Sequence, residues 1–247
     1  EMSSINPVVL LPETLNQQAE KTATALVGSI TLGVGQFCTN PGLIVAIQNE
    51  GLDRFIKSLS EGITGALPGT MLHQGIADNY NKRLNHSLEQ KGVTVEGQSS
   101  TNANVSQGKP SVASTQASTF LKNPLLAEEV FGPFSLIIKC KDVNELHAVV
   151  SHLSGQLTAS IFGDEMEITK HSSLVNTLIE KAGRLIVNGV PTGVEVCPSM
   201  NHGGPFPATT DSRITAVGTD AIKRFVRPVA FQNFPNSLLP EELKDKN

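Results

Sequence analysis

Short apolar runs that alternate with helix-length amphipathic stretches constrain this chain more than any other feature. Val8–Leu11, Leu43–Ile47, Phe134–Lys139, Leu157–Phe162 and Gly183–Val187 are too short for stable helices and apolar enough to be buried as strands. Pro12 suits the first turn of a helix in which Leu15, Ala19, Ala23, Leu26 and Ile30 make one apolar face. Leu52–Gly65 carries Phe55, Ile56, Leu59 and Ile63 on one side. Ile76–Lys91, closed by Gly92, together with Val143–Leu153 and Ser172–Lys181, completes the set of predicted helices. Strands alternating with helices predict an α/β fold with a mostly parallel sheet covered on both faces.

The remaining segments read differently. Residues 94–118 are rich in Ser, Thr, Gln, Asn and Gly, which predicts a surface hairpin or long loop. Residues 199–213 form an irregular Gly/Pro-rich loop, Ile222–Phe234 reads as a late strand, and the polar tail from Pro235 is expected to fray. The first strand begins within a few residues of the start, and the first residue is not Met; the expectation is an excised or truncated chain.

Several function classes are disfavoured at once. The net charge of -4 gives no electrostatic case for nucleic acid or an anionic membrane. No apolar run approaches the roughly 20 residues of a transmembrane helix. Cys38, Cys140 and Cys197 are an odd, widely spaced set without a CxxC, so a reducing, cytoplasmic setting is expected. His147 and His152 are not an HExxH pair, and no metal pattern exists. Gly62–Gly69 has no Gly-Lys-Ser/Thr and is not a P-loop. Glu128 and Glu129 are adjacent, so they do not face one another as a glycosidase pair.

Cys38 is the residue with chemical promise. It sits on a turn between a helix and a core strand, flanked by Gly33, Gly35, Pro41 and Gly42, which let a backbone approach a ligand closely. A thiolate there is a plausible nucleophile, and a small buried hydrophobe is the competing reading. Cys140 and Cys197 are read as packing residues.

The ordered motifs resemble those of the aldehyde dehydrogenase superfamily. Gly35-Gln36-Phe37-Cys38, followed by Thr39-Asn40-Pro41-Gly42, is similar to the family's active-site cysteine signature. Glu128-Glu129-Val130-Phe131-Gly132-Pro133 resembles its Glu-Glu-x-Phe-Gly-Pro motif. Glu1-Met2-Ser3-Ser4-Ile5-Asn6-Pro7 is similar to the segment with the general-base glutamate, at close to the usual distance from the cysteine. Arg184–Gly189 resembles the late strand ending in an Asn near the substrate entrance. Together they run from residue 1 to about residue 219. Asn201–Arg213 followed by Ile222–Val229 is similar to the α-ketoglutarate (2,5-dioxovalerate) semialdehyde and fatty aldehyde dehydrogenase branch, and Ser3-Ser4-Ile5 in place of Gly-Gly-Lys fits that branch.

The resemblance implies a three-layer αβα catalytic domain over residues 1–219, lacking a nucleotide-binding half, and an oligomerisation arm and tail over 220–247. It implies NADP- or NAD-dependent oxidation of a small aldehyde through a Cys38 thiohemiacetal and thioester. Glu1 would be the base, Glu129 and Phe131 would hold the nicotinamide ribose, and Phe37, Thr39, Asn188 and His202 would face substrate. The strand near Phe225–Phe234 would pair with a second subunit, making a dimer or tetramer, and this chain alone would be inactive. A cofactor-independent thiol esterase and a non-catalytic oligomerisation module are the competing readings.

Overall fold

The computed structural model describes residues 2–245, and the expected base, Glu1, lies outside them. The strands are β1 (Pro7–Leu10), β2 (Leu43–Ile47), β3 (Gly69–Thr70), β4 (Thr94–Gln98), β5 (Gln107–Gly108), β6 (Ser111–Gln116), β7 (Phe134–Cys140), β8 (Gln156–Phe162) and β9 (Ala182–Val187). The helices are α1 (Pro12–Thr31), α2 (Glu50–Gly65), α3 (Gln74–Leu88), α4 (Ala117–Phe120), α5 (Val143–His152), α6 (Glu165–Lys170) and α7 (Ser172–Lys181). The main sheet has the order β4-β6-β7-β2-β1-β8-β9; only β4 runs antiparallel to its neighbour.

Two separate apolar clusters show why the sheet is sandwiched. Val8, Leu10, Ile44, Ala46 and Ile137 point to one face, where the apolar stripes of α1 and α2 cover them. Val9, Val45, Leu136, Ile138, Ala159 and Ile161 point to the other, under α3, α4, α5 and α7. β1 and β2, at the centre of the sheet, are accordingly apolar at every position, as burial on both faces requires. Among the described residues no helix is long and apolar enough to cross a membrane.

Helix ends are fixed by specific groups. Leu11 is extended before Pro12, and the buried carboxylate of Glu167 accepts from the backbone N–H groups of Glu13 (2.6 Å) and Thr14 (3.0 Å). A carboxylate there meets both the orphan donors and the positive end of α1. Asn49 and Asp142 cap α2 and α5 by accepting from Leu52 N and Glu145 N.

Two expectations are corrected. Within residues 94–118, β4 and β6 pair antiparallel across residues 99–110, as a hairpin does, but the pair is not confined to the surface: β6 runs inside the sheet between β4 and β7, and Val112 and Ala113 are buried. The polar composition misleads because small hydroxyls can be buried once bonded; Thr115 Oγ1 donates to Gly92 O at 2.8 Å. Ile222–Phe234 forms no strand. Thr219–Phe225 is a 3-10 helix, and residues 226–234 are irregular and exposed. An apolar, β-prone sequence becomes a strand only against a partner edge, and among the described residues no strand pairs with it.

Candidate active site

Cys38 reaches its position through a backbone that glycine makes possible. Beyond α1, Leu32–Gly35 form a 3-10 turn in which Gly33, Val34 and Gly35 have φ of 55°, 59° and 64°. A Cβ on Gly35 would lie 2.3 Å from the carbonyl of Gly132. Asn40 Nδ2 donates to that same carbonyl at 3.1 Å. The cysteine turn and the Glu128–Pro133 segment, distant in sequence, are thus held backbone to backbone.

Asn6 fixes the turn from beneath. Its Nδ2 donates to the carbonyls of Cys38 and Asn40, both at 2.9 Å. Its Oδ1 accepts from Thr158 Oγ1 at 3.0 Å and Ser4 Oγ at 2.8 Å. Gln156 Oε1 in turn accepts from the N–H groups of Ile5 (2.8 Å) and Asn6 (3.1 Å). Cys38 precedes β2, Asn6 precedes β1 and Gln156 opens β8, so the thiol stands at the amino edge of the parallel strands. Open α/β sheets more often bind ligands at the carboxyl edge.

The structure brings together part of the expected site. Cys38, Glu129 and Phe131 line one cleft of about 190 Å³ with Ser3 and Ser4. His202 is buried, and its Nε2 lies 3.3 Å from Cys38 Sγ. Phe37 turns its ring back over Gly33, and Thr39 is buried within the turn. Asn188 is placed elsewhere, after β9, at the opposite edge of the sheet. Its side chain accepts from Gly163 N (3.0 Å), donates to Gly163 O (2.8 Å) and lines a separate cleft of about 340 Å³.

The two glutamates of the acidic motif differ in role. Glu128 is exposed and pairs with Arg83. Glu129 faces the cleft, where burial lifts its carboxyl above the ordinary range, offset in part by hydrogen bonds from Ser3 Oγ (3.0 Å) and the Ser4 backbone. The unfolded chain then loses this proton before the folded chain does, so stability falls as pH rises through the window above the ordinary carboxylate value. Glu129→Gln is expected to raise the thermal midpoint at neutral pH and to flatten that fall. Melting curves across pH check this; parallel profiles for the two proteins would contradict it.

Arg184 was not singled out as a site residue by sequence. Its guanidinium donates to the carbonyls of Pro191 (3.0 Å) and Gly193 (3.1 Å) and lies within electrostatic reach of Cys38. Burial lowers its proton affinity, and a Cys38 thiolate would act in the opposite sense. Asn6 and Gln156 were also missed. Neither carries a motif of its own, and their importance is visible only once distant segments meet.

The family model described as "Aldehyde dehydrogenase family" matches residues 1–205. The chain belongs to the aldehyde dehydrogenase family. It is 47% identical over 247 residues to alpha-ketoglutaric semialdehyde dehydrogenase 2 of Azospirillum brasilense, covering all of this chain and 47% of that one. It is 45% identical over 248 residues to alpha-ketoglutaric semialdehyde dehydrogenase of Acinetobacter baylyi (strain ATCC 33305 / BD413 / ADP1), again covering all of this chain and 47% of that protein. This aldehyde dehydrogenase chain thus spans about half the length of the curated relatives it matches. Its fold is that of gamma-glutamyl-gamma-aminobutyraldehyde dehydrogenase from Burkholderia cenocepacia J2315, with a TM-score of 0.71 at 18% identity over 91% of this chain and 44% of that one.

Proposed function

We propose that this chain supplies the thiol-bearing catalytic half of an NADP- or NAD-dependent dehydrogenase that oxidises a small semialdehyde, such as 2,5-dioxopentanoate, to the acid. The observation that supports this most is the shared cleft of Cys38, Glu129 and Phe131, three residues drawn from two separate family motifs. The two relatives named for α-ketoglutaric semialdehyde support the substrate class.

The chemistry follows from the residues. Cys38 Sγ adds to the aldehyde carbon, and the carbonyl oxygen takes up negative charge near the Cys38 backbone N–H. A nicotinamide cofactor, when bound, accepts the hydride that leaves this carbon. Cys38 is then a thioester, and a water deprotonated by a carboxylate, Glu1 by the resemblance, releases the acid and restores the thiol. Glu129 fits a ribose because a cleft-facing carboxylate can accept from two neighbouring hydroxyls, and Phe131 offers an apolar face beside it. The exposed apolar residues Phe225, Val226, Val229, Phe231 and Phe234 support a homo-oligomer contact.

The test is reduction of NADP or NAD with 2,5-dioxopentanoate. The 247 residues alone are expected to give no turnover, and the same residues joined to a nucleotide-binding half of the family to give it. Turnover of unrelated substrates with no response to this aldehyde would contradict the reading.

A further inference from the structure

Asn40 stands two residues after the thiol, and its side-chain amide is used at one end only. Nδ2 donates to Gly132 O at 3.1 Å. Oδ1 is buried and has no hydrogen-bond partner among the described residues. Asn40 is 8% exposed and lines an enclosed space of about 20 Å³ with Ser4, Gly35, Glu129 and Phe131. A buried carbonyl oxygen without a donor is destabilising. An amide kept in spite of that is explained by what its other end does.

Gly132 does not need the Nδ2 bond to be satisfied. Its carbonyl already accepts from Phe134 N at 2.8 Å, and Pro133 O accepts from Ser111 N at 2.9 Å and from Tyr80 Oη at 3.3 Å. What the bond adds is position. On one side of it, the Asn40 backbone belongs to the cysteine turn: its N–H donates to Phe37 O at 3.0 Å, and its carbonyl accepts from Asn6 Nδ2 at 2.9 Å. On the other side are residues 129–131, which form neither helix nor strand and carry Glu129 and Phe131 into the Cys38 cleft.

We propose that Asn40 is a positioning residue: through Gly132 O it sets the span between Cys38 Sγ and the Glu129–Phe131 contacts to the nicotinamide ribose. This rests on reading Cys38 as the nucleophile and Glu129 as the ribose contact. Hydride transfer needs the carbon bound to Sγ and the nicotinamide ring at one fixed separation, and a displacement of about 1 Å can cost about 100-fold in rate. Attack by Sγ on a carbonyl carbon needs only the turn itself, which Asn6 holds from beneath through the carbonyls of Cys38 and Asn40. The Asn40 side chain therefore serves the hydride step and not the attack of the thiol.

The experiment uses Asn40→Leu, which keeps the branched shape and lacks both polar ends. The change removes the orphaned Oδ1 and strands no carbonyl, so the melting midpoint of the chain is expected to stay within about 2 °C of the unaltered value or to rise. Amide hydrogen exchange is expected to quicken at least about tenfold in residues 129–132 while α1 and β1 keep their rates. Acylation of Cys38 by an activated ester, located by peptide mapping, is expected to stay within about threefold. In a protein that carries both halves, single-turnover reduction of NADP or NAD with 2,5-dioxopentanoate is expected to fall at least about tenfold. Unchanged exchange in residues 129–132 would overturn the proposal, as would faster exchange there with an unaltered hydride rate. Acylation falling in step with the hydride rate would move the role to Cys38 itself, and uniformly faster exchange with a lower midpoint would make Asn40 a packing residue; either result overturns it. If Asn40→Leu does not fold, Asn40→Ala takes its place, with the same local exchange and the same split between acylation and hydride transfer expected. Local loosening in a protein that oxidises no aldehyde would sink the dehydrogenase reading and leave Asn40 standing as the clamp between the two segments.

Discussion

Cys38→Ala, placed in a protein that carries both halves of the enzyme, is expected to lower kcat for aldehyde oxidation by at least about 10⁴-fold. In the proposed reaction every step after binding passes through Sγ: it would form the bond to the aldehyde carbon, carry the acyl group after hydride loss, and be the leaving group in hydrolysis. A methyl group can do none of these. Cys38→Ser is expected to fare little better, because a hydroxyl ionises at a far higher pH than a thiol. The fold is expected to survive either change. Cys38 is only half-buried, and its structural contribution is made by its carbonyl, which accepts from Asn6 Nδ2 at 2.9 Å. Steady-state rates beside a thermal melt check both parts: the rate collapses while the melting midpoint stays close to that of the unaltered protein. A variant that retains a tenth of the rate would contradict the nucleophile assignment.

Asn6→Asp is expected to produce the largest loss of stability of any near-isosteric change in the chain. Asn6 is fully buried, and its two ends face opposite chemistries. The Oδ1 end meets the donors Ser4 Oγ and Thr158 Oγ1, and the Nδ2 end meets the carbonyls of Cys38 and Asn40. This arrangement fixes which end is oxygen and which is nitrogen. An aspartate keeps the first set and turns the second into two carbonyls facing an anionic oxygen. Two lost buried hydrogen bonds and one unpaired buried charge together cost about 4 kcal/mol, a large part of the 5–15 kcal/mol that holds an ordinary domain together. The sign with pH follows. The folded state raises the aspartate's proton affinity above its unfolded value, so the loss is greatest at neutral pH and shrinks as pH falls through the carboxylate range. Urea denaturation at several pH values checks this. Equal losses at every pH would show that only the missing hydrogen bonds matter.

The centre of the sheet was legible because β1 and β2 are apolar at every position. Val8–Leu10 and Leu43–Ala46 allow no other placement than burial on both faces, and the helices between them carry one stripe each. The strand Ser111–Gln116 was not legible, since its Ser, Thr and Gln residues look like those of a loop; what makes it a strand is its pairing with Phe134–Lys139. The opposite error occurred at Ile222–Phe234, where a strand-like sequence has no edge to join among the described residues. At the candidate site, the motif residues Cys38, Glu129 and Phe131 could be chosen from sequence because each stands in a recognisable local pattern. The supports could not. Asn6 acts through carbonyls of residues far along the chain, Gln156 through backbone N–H groups at the start, and the His202 contact depends on how a long irregular loop returns across the amino edge of the sheet.

The most direct test of Cys38 as the nucleophile needs only this chain and an activated acyl ester. The ester's leaving group departs as Sγ bonds to the acyl carbon, and acid quenching followed by peptide mapping locates the acyl group. A single acyl group is expected on the peptide bearing Cys38, absent from Cys38→Ala, with Cys140 unmodified because burial, with Glu145 and Asp142 nearby, pushes its thiol up to about 12. An acyl group spread over Cys197 and the lysines, with Cys38 bare, would contradict it.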